Sequence, residues 1–88
     1  MSKFDKLVDR LKGRPTDFTW NDAVRVLERC GFELIKRKGT GRASHRRFLR
    51  PDGNYFHIAE PHPGSILKRY QVDALLEVLR EVGCINED

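Results

Sequence analysis

A histidine within a run of arginines is the feature of this sequence best suited to chemistry. His45 lies in a segment from Lys36 to Arg50 that contains no acidic residue. Histidine transfers protons near neutral pH, because its unperturbed pKa is about 6.5. Arginine binds phosphate through two parallel hydrogen bonds. RNA carries its own nucleophile, the 2′-hydroxyl, so these two residue types could cleave it without a metal ion.

Roles for the neighbouring residues follow from that chemistry. The hypothesis is that His45 is the catalytic acid/base group and Arg47 binds the phosphate, the alternative for His45 being a surface histidine in a basic hairpin. His57 is an accessory candidate for a second proton transfer, the alternative being a cross-strand polar neighbour. Ser44 is a second accessory residue, expected to fix the start of the strand. The residues expected to contact RNA are Lys36, Lys38, Arg42, Arg46 and Arg47.

The positive charge of the chain is concentrated in one segment. Residues 36–50 contain seven basic residues, whereas the other 73 residues contain ten basic and thirteen acidic ones, for a net charge of +4. Such a patch attracts polyanions and steers their approach. Two alternatives remain open: a solvated hairpin surface, and a protein-interaction face that meets an acidic partner.

Hydrophobic spacing predicts helices at both ends of the chain and strands between them. A first helix ends at Gly13, and Thr19 is the expected N-cap of the second. The expected elements are helices over 2–13, 20–30 and 70–82 and strands over 32–38, 44–50 and 55–60. Residues 65–69 form a connector that the pattern does not assign. The order predicts an α+β domain with a three-stranded antiparallel sheet.

The turn at residues 51–53, Pro-Asp-Gly, predicts the register of the hairpin. A type I turn followed by a left-handed glycine sets Phe48 opposite Phe56, and this apolar pair should face the helices. The neighbouring pair, Arg47 and His57, then lies on the other face. That second face should also carry His45, opposite Ala59, and Tyr55. The first face, toward the helices, should carry Arg46 opposite Ile58.

Several classes of function are disfavoured. The chain has no apolar run long enough to cross a membrane and no secretory leader, so we expect a cytoplasmic protein without a membrane partner. Cys30 and Cys84 are then expected to be reduced, packed thiols. Three histidines and two cysteines lack the spacing of zinc sites, so no metal and no cofactor are expected. His62, between two prolines, is interpreted as a loop-fixing residue.

Four segments, taken in order, resemble the HicA family of bacterial and archaeal toxins. The resemblance covers about residues 18–83. Its segments are residues 18–20 (Phe-Thr-Trp), 27–33 (Leu-Glu-Arg-Cys-Gly-Phe-Glu), 43–48 (Ala-Ser-His-Arg-Arg-Phe) and 61–64 (Pro-His-Pro-Gly), followed by the final helix. Ala43 stands where the family usually has glycine. Residues 1–17 are interpreted as an N-terminal helical extension and linker, and residues 18–88 as the toxin domain.

The resemblance implies a fold, an activity and a partner. The fold is α-β-β-β-α, similar to double-stranded-RNA-binding domains. The activity is that of an mRNA interferase, an endoribonuclease that stops translation, and the partner is a HicB-type antitoxin. The family's catalytic histidine falls on His45. The alternative is a non-catalytic RNA-binding module of the same fold, which recognises RNA by shape and phosphate contacts.

Overall fold

The computed structural model describes residues 3–35, 45–61 and 66–85, apart from the side chain of His45. The elements are α1 (Lys3–Lys12), α2 (Trp20–Arg29), β1 (Glu33–Ile35), β2 (His45–Leu49), β3 (Tyr55–Ala59) and α3 (Arg69–Glu81). This order confirms the predicted α+β fold, with α-β-β-β-α preceded by an extra helix. It is consistent with the double-stranded-RNA-binding-domain-like class. The predicted strand residues 36–38 and the turn at 39–41 lie outside the described residues.

Helix α2 begins and ends where its capping residues predict. The Thr19 hydroxyl accepts a hydrogen bond of 3.1 Å from the backbone N–H of Asp22, which confirms Thr19 as the N-cap. At the other end, Gly31 has a φ of +92°, which favours glycine because it has no Cβ. The N–H of Phe32 bonds back to the carbonyl of Leu27 at 2.9 Å. The chain therefore leaves the helix in a fixed direction and enters β1.

The three strands form one antiparallel sheet in the order β1-β2-β3. In the β2–β3 pair, Phe48 lies opposite Phe56 and Arg47 opposite His57, as the turn predicts. Gly53 has a φ of +94°, which is the left-handed glycine of that turn. The backbone N–H of Asn54 donates to Asp52 Oδ1 at 3.0 Å, and this hydrogen bond is the main reason why the pKa of Asp52 is lowered.

One hydrophobic core joins the sheet to all three helices. Phe48 is fully buried, and its ring lies 6.0 Å from that of Trp20 on α2. Phe56 and Ile58 fill the same layer from β3. Helix α1 contributes Val8 and Leu11 and α3 contributes Leu75 and Leu79, with other buried residues. The core therefore covers one face of the sheet and includes the N-terminal helix. The division at residue 17 stays a prediction.

The connector that the sequence left unassigned holds α3 against the rest of the fold. Ile66 forms an isolated antiparallel bridge with Thr19, and the N–H of Leu67 donates to the carbonyl of Phe18 at 2.8 Å. Gln71, which is 3% exposed, donates from Nε2 to the carbonyl of Ala59 at 2.8 Å. These bonds fix the start of α3 beside the end of β3.

The two cysteines form a disulfide, so the expectation of reduced thiols is wrong. Cys30 follows α2 and Cys84 follows α3, 54 positions later in the chain. The turns after both helices meet at the same edge of the core, where the two Cα atoms are 5.7 Å apart, a normal distance for a disulfide. Sequence spacing could not reveal this proximity, because it depends on how α2 and α3 pack.

Within residues 3–35, 45–61 and 66–85, no helix is long and apolar enough to cross a membrane.

Candidate nucleic-acid interface

The face of the sheet opposite the core is exposed and carries the candidate residues. We call it the outer face and define it by position 45 and by Glu33, Ile35, Arg47, Leu49, Tyr55 and His57. Side chains alternate between the two faces of a strand, so burial of Phe48 and Phe56 in the core turns the side chains of the six named residues outward. Arg47 and His57 are both exposed. The predicted separation of the two faces is confirmed for Arg47, Tyr55 and His57, whereas the predicted place of the His45 side chain stays a prediction.

Arg47 and His57 form a direct hydrogen bond at the centre of the outer face. The Nε–H of Arg47 donates to Nε2 of His57 at 2.7 Å. An imidazole nitrogen accepts a hydrogen bond only when it carries no proton, so this bond requires a bare Nε2 on His57. Arginine has five N–H donors, and this bond uses one of them. Guanidinium groups can bind a phosphate through two parallel hydrogen bonds, and the bond to His57 does not use the terminal NH2 groups of Arg47.

Position 45 lies at the end of the same row of residues. His45 is the first residue of β2 and its register partner is Ala59. It is two residues from Arg47 on one strand, so strand alternation gives both positions the same face. The direction in which the imidazole of His45 projects lies outside the described part of the structure, as does any contact that it makes.

Tyr55 extends the outer face away from position 45. Its ring is 62% exposed, and its centroid lies 5.3 Å from that of His57, with the two planes tilted by 49°. Leu49, 42% exposed, lies directly opposite Tyr55 on β2. The outer face therefore combines a guanidinium, an imidazole and an aromatic ring in consecutive contact.

Two arginines of the basic segment serve the fold instead of the outer face. Arg46 alternates with Arg47 toward the core side, where its Nη2 lies 3.1 Å from Oε1 of Glu60. Arg50 donates from Nη1 to the carbonyl of Cys30 at 2.7 Å, and its guanidinium stacks over the ring of Phe32. The sequence signal for the Arg46 pair was the position of Glu60, two residues after Ile58 and so on the same face. An RNA contact by Arg46 stays a prediction.

The other residues proposed from the sequence cannot be placed on this surface. Lys36, Lys38, Arg42 and Ser44 lie outside the described residues, and so does His62. Among the residues that are described, no group of three or more histidine, cysteine or acidic side chains could hold a metal ion.

These observations define a class of protein: a small α+β domain whose helices cover one face of a three-stranded sheet and whose other face presents basic and aromatic side chains. Residues 20–83 match the family model described as HicA toxin of bacterial toxin-antitoxin systems. The match covers more than half of the chain, and the chain belongs to the HicA toxin family. No curated protein and no solved structure matches it.

Family membership supplies the coarse function. The protein is the toxin member of a toxin–antitoxin pair, and an antitoxin is its partner.

Proposed function

We propose that this toxin is a metal-independent endoribonuclease that cleaves mRNA on the outer face of its sheet and so inhibits translation. The observation that carries the proposal is the Arg47–His57 hydrogen bond beside position 45. It gives a phosphate-binding group a fixed orientation next to the histidine that the family resemblance assigns to catalysis. The basic segment around it supplies the attraction for RNA.

The reaction needs only groups that RNA and the outer face contain. The 2′-oxygen attacks the adjacent phosphorus while its proton passes to a base, and the bond from phosphorus to the 5′-oxygen breaks as that oxygen takes a proton. The products are a 2′,3′-cyclic phosphate and a 5′-hydroxyl. His45 is the proposed proton-transfer group: its imidazole takes the proton from the 2′-hydroxyl and then gives that proton to the leaving 5′-oxygen. Arg47 stabilises the charge that develops on the phosphoryl oxygens.

His57 fits a positioning role better than a role as proton acceptor. Its Nε2 is engaged by Arg47. We therefore propose that His57 orients the Arg47 guanidinium. Lys36, Lys38 and Arg42 are proposed to bind the RNA backbone, with Ser44 as an accessory to His45.

The proposed partner is a HicB-type antitoxin. An antitoxin that covers the outer face with acidic residues would block RNA and satisfy Arg47 at the same time. This partner explains how one basic surface serves both the active and the inhibited state of the toxin.

Purified protein and end-labelled RNA test the proposal in buffer that contains a metal chelator. We expect cleavage by the wild type, loss of cleavage with retained RNA binding in His45→Ala, and wild-type cleavage in Arg25→Ala, an exposed α2 residue outside the outer face. Full cleavage by His45→Ala would remove His45 from the mechanism. RNA binding by every variant without cleavage by any would favour the second candidate, a non-catalytic RNA-binding module, which the basic segment also supports.

A further inference from the structure

The outer face leaves three large apolar or aromatic side chains exposed. Ile35, Leu49 and Tyr55 are 36%, 42% and 62% exposed. The residues are neighbours: Leu49 lies opposite Tyr55 across β2–β3, and Ile35 lies opposite Arg47 across β1–β2. Single exposed apolar residues are ordinary, whereas a contiguous group on one face indicates a surface that binds something.

An arginine beside an exposed aromatic ring favours a nucleic acid as the occupant of this face. Arg47 lies at the centre of the group, between Ile35 on β1 and His57 on β3. Glu33 is the one acidic side chain on the described part of the outer face, and Leu49 separates it from Tyr55. Aromatic rings beside arginine bind unpaired bases and phosphates together, because the ring stacks on the base and the guanidinium pairs with the backbone.

We infer that Tyr55 is a stacking site for an unpaired base of single-stranded RNA, next to the phosphate that Arg47 binds. This inference rests on the proposed function, since it names a subsite on the same surface. The ring of Tyr55 is supported on one side by its contact with His57, which in turn accepts the hydrogen bond from Arg47. His57 therefore contacts both the residue proposed to bind the base and the residue proposed to bind the phosphate.

The strand geometry sets the distance between Tyr55 and position 45. Tyr55 lies four residues from Ala59, the register partner of His45, which is about 13 Å along a strand at 3.3–3.4 Å per residue. His57 and Arg47 lie halfway. The base on Tyr55 therefore lies on the side of the Arg47 phosphate that is away from position 45. Because stacking strength sets the preference of such sites, a purine is favoured over a pyrimidine there.

A binding assay that does not depend on cleavage tests the inference. The probe is a short single-stranded oligoribonucleotide with 2′-O-methyl groups, which removes the nucleophile, and with 2-aminopurine, whose fluorescence falls when it stacks. Tyr55→Phe keeps the ring, Tyr55→Ala removes it, and Tyr70→Ala removes an equally exposed tyrosine from α3. The same oligonucleotide paired with its complement is the second ligand.

We expect about five- to hundredfold weaker binding of the single strand by Tyr55→Ala, the range that one base–aromatic stack supplies. Fluorescence quenching should be lost in the same variant. Tyr55→Phe and Tyr70→Ala should bind like the wild type, and binding of the duplex should not change. Thermal unfolding of the three variants checks that each one folds. We expect each to fold, because the replaced tyrosine side chains are exposed.

Three results would overturn the inference: equal binding by Tyr55→Ala and Tyr70→Ala, an equal loss for single strand and duplex, or a loss of antitoxin binding with RNA binding intact. The last result would assign Tyr55 to the protein partner. Unmodified RNA separates this inference from the proposed function. If quenching depends on Tyr55 but unmodified RNA is not cleaved, the base site stands and the ribonuclease activity does not. If unmodified RNA is cleaved but quenching does not depend on Tyr55, the ribonuclease activity stands and the base site does not.

Discussion

Arg47 donates from Nε to Nε2 of His57 over 2.7 Å, across the centre of the β2–β3 pair. The bond uses the Nε–H of the guanidinium and does not use its two terminal NH2 groups. The bond gives a flexible side chain one orientation, and a group that is already oriented loses less entropy when it binds a ligand. The preorganised arginine is the structural basis of the first prediction.

Replacing His57 should impair RNA binding by Arg47 without removing any charge. A hydrogen bond of this kind contributes about 0.5–1.5 kcal/mol net, so we expect His57→Ala to weaken RNA binding and cleavage about two- to tenfold. His57→Gln keeps an acceptor and should restore much of the loss. Cleavage rates at several RNA concentrations measure KM and kcat separately. If His57 transferred a proton, glutamine would fail to rescue and kcat alone would fall.

The register of the hairpin was predictable from sequence because a local rule determines it. The Pro-Asp-Gly turn and the Phe48–Phe56 pair agree on one alignment, and that alignment places Arg47 opposite His57. The Arg46–Glu60 pair also follows from this register, since Glu60 comes two residues after Ile58. The fate of Arg50 was not predictable in this way, because its partner, the Cys30 carbonyl, is set by tertiary packing. The disulfide between Cys30 and Cys84 escaped prediction for the same reason.

Reduction of the disulfide should lower the stability of the protein. Cys30 and Cys84 are 54 positions apart, and closing a loop of that length stabilises a fold by about 4 kcal/mol in the chain-entropy description. We expect a clear fall in the thermal unfolding midpoint on adding reductant, and a similar fall in the Cys30→Ala/Cys84→Ala variant without it. Reductant should leave the double variant unchanged. Two titratable thiols in the untreated native protein would contradict the disulfide.

Asp52 should make the hairpin turn sensitive to acid. The backbone N–H of Asn54 holds the pKa of Asp52 below its ordinary value of 3.8, with a smaller contribution from Arg50. Because the folded-state pKa is the lower one, this contribution to stability is complete above the ordinary value and is lost as the pH falls through the folded-state pKa. Asp52→Asn keeps the hydrogen-bond acceptor and removes the titration. Urea unfolding midpoints between pH 2 and 6 should therefore fall less steeply for this variant than for the wild type.

Leu11 tests whether the N-terminal helix belongs to the folded domain. Its side chain is fully buried in the core shared with α2 and α3. We expect Leu11→Ala to lower the free energy of unfolding by about 2–5 kcal/mol, whereas the exposed neighbour Lys12→Ala should have little effect. Deleting residues 1–17 should be at least as damaging as Leu11→Ala. A truncated chain as stable as the wild type would make residues 18–88 an independent domain with a dispensable extension.

Arg47 and Arg50 lie three positions apart in the basic segment and should affect the protein in different ways. Arg47 has its terminal NH2 groups on the outer face, so Arg47→Ala should remove a phosphate contact. The slope of log Kd for single-stranded RNA against log salt should then fall by about 0.7, the value for one phosphate on a single strand.

Arg50 donates to the Cys30 carbonyl at 2.7 Å, and its side chain is only 22% exposed. Arg50→Ala should therefore cost about 1–3 kcal/mol of stability through the carbonyl left without its donor, with the salt slope unchanged. Salt titrations of RNA binding and urea unfolding of both variants measure the two effects. Equal salt slopes for the two variants would show that the segment binds RNA through its total charge and not through the side of the sheet on which each arginine lies.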